Sequence, residues 1–455
     1  MEVIKPSIPK GTRDFLPEQM LRRQYVIDII KTVFEKYGYQ PLETPAIEKL
    51  DVLSGKSGEE AERLMFKILK RGTSIEKVGK EIKEFSITKF TDIVDLGLRY
   101  DLTVPLCRVI AMYRNQITLP FKRYQIQPVW RADRPQKGRY REFFQCDADN
   151  VGSASMMADA ETIAIINEIL ATLGFKKFKI KINNRKILTG IVEYSGVKAS
   201  RGIDVCIAID KFEKIGIDGV KGELLQREIP DNAINKILPI LEIKGDPKNV
   251  LEDVSQLINM SEVGTEGVSE TKELIYYLKS LGIAEKSYAV DLYLARGLAY
   301  YTGPIFESVV EEPKIGSLTG GGRYDELIGM FLGDNIPATG TTLGIERIID
   351  VMTELNMIPD TKTSTKVLVT VFNEETKDAS IKLVQKLRIA GVNSEIYFES
   401  GGLKKQFKYA NKLGIPYVVV MGPDEVEKNE ASLKDMNSGE QNQMPVEKII
   451  DVLAG

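Results

Sequence analysis

The chain has no histidine among its 455 residues, and it has only three cysteines and one tryptophan. Histidine is the commonest general base and metal ligand near neutral pH. Its absence rules out Ser-His and Cys-His nucleophile pairs. Cys107, Cys146 and Cys206 are far apart, so they supply neither a structural zinc site nor a disulfide framework, and they fit a reducing compartment. No apolar run approaches the length of a membrane span. The N-terminal MEVIKPSIPKGTRDF lacks a secretion-signal core and an Arg/Ser-rich presequence, so the expected location is cytoplasmic, with no membrane partner. Neither sign of charge dominates: 62 Lys and Arg against 65 Asp and Glu give −3. Nucleic acid must then be met by local basic patches rather than by a global field. Any catalysis here relies on positioning and electrostatics, or on groups that the substrates bring.

What is present fits two or three ordinary globular domains. A helix is expected over about 17–37, with Pro17 in its first turn, Val26, Ile30, Val33 and Tyr37 at helical spacing, and Gly38 at its end. LGLRYDL reads as a strand feeding a helix from about Thr103 to Arg114. FKRYQIQPVWRAD and REFFQCDAD read as two strands of a hairpin joined across Arg134–Tyr140. A helix over ASMMADAETIAIINEILATLGF closes at Gly174. From about 184 to 286 a mostly polar, Gly-containing helical pattern without visible chemistry reads as an insertion. Strand pattern returns in SYAVDLYLARGLAYYTGPIFESVV, followed by a Gly-rich turn in GSLTGGGRYDEL. TTLGIERIIDVMTEL then leads into a helix with Ile345, Ile348, Ile349 and Met352 as its apolar stripe. NMIPDTKTSTK is the clearest linker. Beyond it, strands and helices alternate as an α/β domain with a parallel sheet is expected to. The expected division is 1–355, a linker over 356–365, and 366–455.

Between Lys122 and Arg141 stand seven basic residues (Lys122, Arg123, Arg131, Arg134, Lys137, Arg139, Arg141) against one acid, Asp133. Guanidinium groups on hairpin arms suit a triphosphate, whose oxygens they bind in pairs; a solvated basic turn is the bland alternative. The following strand ends in Asp147 and Asp149. Together they would hold a ligand with a polyanionic end and a cationic end. TGGGRYDEL is not a P-loop, because no Lys-Ser/Thr follows, and its glycines read as a tight turn or close packing. Arg296 reads as a residue at a strand end, and Arg347 stands one turn into its helix, off the stripe; alone, each would be an ordinary ion-pair residue. Asp149 has a bland reading too, as a cap on the turn at DADNVG. Lys404, Lys408 and Lys412 recur every fourth residue and make one basic helix face.

In this order the segments resemble the signature motifs of class II aminoacyl-tRNA synthetases. KGTRDFLPEQM with LETPAIE is similar to the first, WRADRPQKGRYREFFQCDAD to the second and TTLGIERI to the third. LARGLAYYTGPIFE and GGGRYDEL resemble the two segments peculiar to the histidyl-tRNA synthetase family, and the C-terminal part resembles that family's anticodon-binding domain. The resemblance implies an α+β catalytic domain, an antiparallel sheet flanked by helices, followed by the α/β anticodon-binding domain. It implies ATP with Mg²⁺, L-histidine and tRNA(His) as substrates and partners, a homodimer through the first motif, and no metal held by the protein. It places Arg131, Arg139, Phe143, Arg296 and Arg347 on ATP, with Arg296 and Arg131 catalytic. It places Asp101, Leu102, Thr103, Arg131, Gln145, Asp149, Arg296, Tyr300, Tyr301 and Tyr324 on histidine, and Lys404, Lys408 and Lys412 on tRNA. Two positions depart from the pattern: Ala299 stands where members commonly carry Asp or Asn, and Asp133 where many carry Glu. The missing histidines are compatible with this chemistry, since the substrate carboxylate is already a nucleophile. Two non-catalytic readings compete, a tRNA-binding pseudo-synthetase and the synthetase-like regulatory subunit of ATP phosphoribosyltransferase. The latter usually lacks an anticodon domain and erodes its ATP residues.

Overall fold

A computed structural model describes residues 4–54, 64–70, 94–135, 138–296, 300–313, 315–399 and 401–455. Lys137 and Ala299 lie outside the described residues. The chain divides into two compact units, one of residues 1–13 with 26–357 and one of residues 14–25 with 358–455.

The first unit carries strands β1 (Gln40–Pro41), β2 (Ile47–Lys49), β3 (Lys67–Leu69), β4 (Val94–Leu98), β5 (Phe121–Trp130), β6 (Glu142–Val151), β7 (Phe178–Asn184), β8 (Tyr288–Val290), β9 (Pro304–Val310), β10 (Thr319–Arg323) and β11 (Ala338–Leu343). Eight of them form one sheet in the order β1-β5-β6-β11-β10-β9-β7-β8. Its six inner strands are antiparallel, and each edge adds one parallel pair, β1 on β5 and β8 on β7. The expected antiparallel core is therefore present within a mixed sheet. β2, β4 and β3 make a small sheet of their own.

The β5–β6 hairpin forms as the sequence pattern requires, in register from Phe121 opposite Val151 to Trp130 opposite Glu142. Strand alternation sorts the hairpin into two faces. Arg123, Gln125 and Gln127 share one face with Gln145, Asp147 and Asp149, while Tyr124, Cys146 and Ala148 point to the other. On that second face Tyr124 stacks on Phe34 of the long N-terminal helix, Pro17–Lys36, with ring centroids 5.5 Å apart. The helix Met156–Thr172 is capped by Ser155 Oγ, which accepts from Met157 N at 3.2 Å. Its fully buried Asp159 pairs with Arg323 of β10.

Two expectations need correction. The triple glycine is not in a turn: Gly320, Gly321 and Gly322 lie inside β10, a fully buried strand between β9 and β11. Turn and strand compositions coincide at such a site because both use glycine wherever a Cβ has no room. Arg296 is not at a strand end; it follows an irregular segment that begins after Val290. The helical pattern expected of the 184–286 segment is present, as packed helices (Arg185–Ser195, Gly202–Ile209, Phe212–Gln226, Asp231–Leu241, Pro247–Leu257, Glu262–Ser280) around Ile187, Ile191, Ile234, Ile237 and Leu274, all at most 1% exposed. A Cβ on Gly190 would stand 2.7 Å from Gly264 Cα, so glycine lets two of these helices cross closely.

The second unit holds β12 (Val367–Val369), β13 (Ser394–Ile396), β14 (Tyr417–Val420), β15 (Glu430–Asp435) and β16 (Gln441–Pro445) in the order β13-β12-β14-β15-β16. The expected parallel sheet holds for β13, β12 and β14, whereas β15 and β16 add an antiparallel hairpin. Its turn is made by Asp435, whose carboxylate accepts from the amides of Asn437 (2.7 Å) and Ser438 (3.0 Å). On the helix Leu403–Leu413, Gln406 and Ala410 are buried while Lys404, Lys408 and Lys412 are exposed. Among the described residues no helix is long and apolar enough to cross a membrane.

Candidate active site

The polar face of the large sheet has an acidic end and a basic end. At the acidic end Asp149, in the middle of β6, faces Arg123 of β5, with Arg123 Nη2 2.9 Å from Asp149 Oδ2. Arg123 is fully buried, and it also donates to Leu102 O at 3.2 Å. The Tyr324 hydroxyl donates to the other oxygen of Asp149. Gly340 of β11 pairs with Asp149, and any Cβ there would collide with that carboxylate. Asp147 is two residues away on the same face, 3% exposed, and its Oδ1 has no hydrogen-bond partner. Burial pushes its carboxyl up to about 7, with the Arg123 charge opposing and the Asp149 charge adding to the rise. Burial raises Asp149 as well, against Arg123. Gln145 Nε2 donates weakly to Thr342 Oγ1 (3.4 Å), and its Oε1 has no partner.

Asp101 and Thr103 enter from the start of the helix Thr103–Met112. Asp101 Oδ1 accepts from Val104 N at 3.3 Å. Desolvation pushes its carboxyl up to about 6, with Arg131 opposing. Leu102 is buried and turns only its backbone oxygen toward the site, where it holds Arg123. Above the sheet stand Tyr300 and Tyr301, ring centroids 4.4 Å apart, with Tyr324 edge-on to Tyr300 at 6.3 Å.

At the basic end Arg131 is fixed by donating Nε–H to Tyr100 O at 2.9 Å, and its guanidinium lies 5.2 Å from the centroid of the Phe143 ring. Arg296 pairs with Glu307 of β9 at 3.0 Å, and Ser317 Oγ donates to the same carboxylate oxygen at 2.7 Å. Arg347 donates to Ser317 O at 2.9 Å. Its guanidinium is held below the ordinary value by burial and then by the charges of Arg296 and Arg139, which Glu307 only partly offsets. Arg139 is 58% exposed and pairs with Asp133 at 3.0 Å.

The glycines of β10 explain how both ends fit on one face. A Cβ on Gly320 would collide with the Arg296 guanidinium, and one on Gly322 would stand 3.0 Å from Tyr301 Cδ1. Bare backbone gives these side chains their room.

The basic run from 122 to 141 does not act as one cluster. Strand alternation sends Arg123 to the acidic end, and Lys122 pairs with Glu161 at 2.6 Å on the opposite face. Lys404, Lys408 and Lys412 belong to the second unit. Glu307 escapes sequence reasoning, Arg123 reads with the phosphate-binding run rather than with the carboxylates, and Asp147 reads with Asp149 as the acidic end but without a role of its own. The hairpin register would have placed Arg123 opposite Asp149, and Glu307 is the one acid in the apolar strand PIFESVV. No sequence signal marks the orphaned oxygen of Asp147, because it depends on what the neighbouring strands leave unpaired.

The family described as histidyl-tRNA synthetase matches residues 11–79 and 71–348, and the one described as an anticodon binding domain matches 366–455. The histidine–tRNA ligases of Cytophaga hutchinsonii and Porphyromonas gingivalis are each 45% identical to the chain, over 99% of both partners. The crystal structure of histidyl-tRNA synthetase from Nostoc sp. PCC 7120 superposes with a TM-score of 0.85 at 34% identity, covering 99% of each chain. The apo S. aureus histidyl-tRNA synthetase shares the fold, with a TM-score of 0.69 at 22% identity and coverage of 99% of this chain and 100% of that one.

Proposed function

The chain belongs to the histidyl-tRNA synthetase family, and from that premise we propose how the two ends of its polar face divide the work. The reaction is ligation of histidine to tRNA(His) at the expense of ATP. In the first step a histidine carboxylate oxygen attacks the α-phosphorus. The bond from that phosphorus to the bridging oxygen breaks, and pyrophosphate leaves with the electron pair. In the second step a hydroxyl of the terminal adenosine of the tRNA attacks the carbonyl carbon, and AMP departs. The first step needs no general base, because the nucleophile arrives ionised. A chain without histidine loses nothing there.

Arg131 bridges the histidine carboxylate and the α-phosphate, and Arg296 stabilises the charge that builds on the phosphorus oxygens. Arg139 and Arg347 take the β- and γ-phosphates, while adenine stacks on Phe143 with Arg347 against its other side. Magnesium enters with ATP as part of the substrate. The histidine α-ammonium meets Asp101, Thr103 and the free Oε1 of Gln145, with Leu102 holding the pocket wall through its backbone. The ring lies against Asp149 and Tyr301, and Tyr300 and Tyr324 close the pocket. Lys404, Lys408 and Lys412 offer a phosphate-binding face to tRNA(His). We place the enzyme in the cytoplasm as a homodimer through the segments KGTRDFLPEQM and LETPAIE.

The observation that carries this reading is the gathering of Arg347, Arg296 and Arg139 from three separate elements, with Glu307 and Asp133 as their acidic partners. A surplus of guanidinium groups at one place favours a polyanion. Histidine-dependent exchange of labelled pyrophosphate into ATP tests it. The full chain should catalyse exchange with histidine and not with other amino acids; no exchange would leave a non-catalytic tRNA-binding protein.

A further inference from the structure

Asp147 is the buried acid at this site that the mechanism above does not use. Building on that functional reading, we propose that Asp147 is a second carboxylate for the imidazole, and that the Asp147–Asp149 pair makes the pocket take histidine with its ring protonated.

The geometry supplies the reason. Asp147 and Asp149 lie on one face of β6, each 3% exposed, and among the described residues the cation buried beside them is Arg123, which contacts Asp149. Asp147 Oδ1 is buried and without a hydrogen-bond partner, and Gln145 Oε1 beside it on the same face is likewise unpaired. Leaving such an oxygen unpaired is costly, and the cost is removed by a ligand that brings a donor. Charge points the same way. Asp101, Asp147 and Asp149 carry three negative charges against Arg123, with Arg131 engaged on the α-phosphate and carboxylate. Histidine with a protonated ring brings two positive charges and neutralises the remainder. A neutral ring would leave one carboxylate uncompensated in a buried site.

The groups that face Asp147 are few. β5 presents Arg123 and Gln125, β11 presents Thr342, β6 itself presents Asp149, the start of the helix presents Asp101, and Tyr300 and Tyr301 cover the pocket. The Tyr301 hydroxyl is pushed up to about 12, so it does not titrate near neutrality. With its carboxyl raised to about 7, Asp147 keeps a proton of its own in the empty pocket at and below neutral pH. The free imidazole takes one near pH ~6.5. Binding near neutrality thus moves the shared proton onto the ring. Above neutrality the proton must come from solvent, and affinity falls by up to about tenfold per pH unit. On the acid side the pair must first release its proton, so affinity falls there too.

The absence of histidine from the chain makes the test direct, because the ligand is the only imidazole in the sample. Ring-¹⁵N histidine bound to the full-length protein is followed by its ¹⁵N shifts from about pH 6 to about pH 9, a range that spans the free-ring value. The bound ring should remain an imidazolium at about pH 8, more than one unit above the free ring. Asp147→Asn should bind the ring in its neutral form at the same pH, with affinity lowered at least about tenfold, and Asp147→Glu should restore the cation. A neutral ring on the wild-type protein at that pH overturns the proposal without needing any variant, as does a ring that stays cationic in Asp147→Asn. If histidine fails to bind the wild-type protein at all, the functional reading falls first and this inference with it.

Discussion

Arg296 reaches its place from an irregular segment, and what fixes it there is Glu307 below and bare backbone at Gly320. Its side chain is 43% exposed, and the Glu307 carboxylate it leaves behind keeps the Ser317 hydroxyl as a donor. Arg296→Ala should slow histidyl-adenylate formation by about 10²–10³-fold, the usual loss for a cation acting on transition-state charge. The melting temperature should hardly move. Normal exchange activity in that variant would remove Arg296 from the mechanism. Asp149 is a different kind of residue. It sits mid-strand opposite Arg123 and Gly340, so the alternative in which it caps a turn is gone. Asp149→Asn removes the negative charge proposed to meet the ring and the ion pair with Arg123. The KM for histidine should rise at least about tenfold while that for ATP stays put. Some stability should be lost too, because breaking a buried ion pair costs roughly 3–5 kcal/mol. The ratio of the two KM values separates pocket from scaffold, and equal changes in both would end the assignment.

Among the elements, β10 most clearly shows function written into backbone. Its three glycines have different neighbours. Gly320 and Gly322 turn to the site, whereas Gly321 turns away, where a Cβ would stand 2.6 Å from Phe306 Cε2 and 2.8 Å from Thr341 Cα. Gly320→Ala should therefore fold, since the atom in its way is the end of a flexible arginine, yet exchange activity should drop by about tenfold or more as Arg296 is displaced. Gly321→Ala should instead lower stability by roughly 1–3 kcal/mol, because it overpacks a core against backbone that cannot move aside. Thermal melts beside exchange rates distinguish them; a Gly320→Ala protein with full activity would show that Arg296 works from elsewhere. The segment that carries Arg296 is itself anchored, with Asn183 Nδ2 donating to Leu294 O at 2.9 Å and Lys181 pairing with Asp291 at 3.2 Å. Phe212 of the helical segment stacks on Tyr293 with centroids 4.7 Å apart, which ties part of the 184–286 segment to the approach to the site.

For the molecule as a whole, the proposed division of labour gives amino-acid activation to the first unit and recognition of the tRNA to the second. Deleting the second unit is a poor test, because residues 14–25 cluster with it although in the chain they lie between the two parts of the first unit. Reversing charge is cleaner. Replacing Lys404, Lys408 and Lys412 by Glu should cut tRNA charging by about tenfold or more at physiological salt and flatten its salt dependence, with pyrophosphate exchange unaffected. Those lysines are exposed on a helix whose buried side is Gln406 and Ala410, so the fold tolerates the change. Unaltered charging would mean that the basic face is only solvated.

The sequence by itself determined the hairpin, the helices, the order of the motifs and the family, since these depend on local periodicity, capping and turn chemistry. Pro17 opens the first helix, and ten residues on each side of a basic turn pair without a slip. It also determined what the enzyme cannot do, because a chain without histidine has no imidazole to offer. Only the tertiary structure decided which charges meet. Arg123 lies in a basic run that reads as a phosphate site, yet strand alternation and the packing of β5 on β6 aim it at Asp149. The triple glycine reads as a turn and is a buried strand, because the need for bare backbone is set by Arg296 and Tyr301 arriving from a distant segment. Asp147 reads with Asp149 as an acidic strand end, but burial between strands remote in sequence is what leaves its oxygen without a partner. Desolvation and pairing are properties of neighbours in space, and neighbours in space are what the linear chain does not spell out.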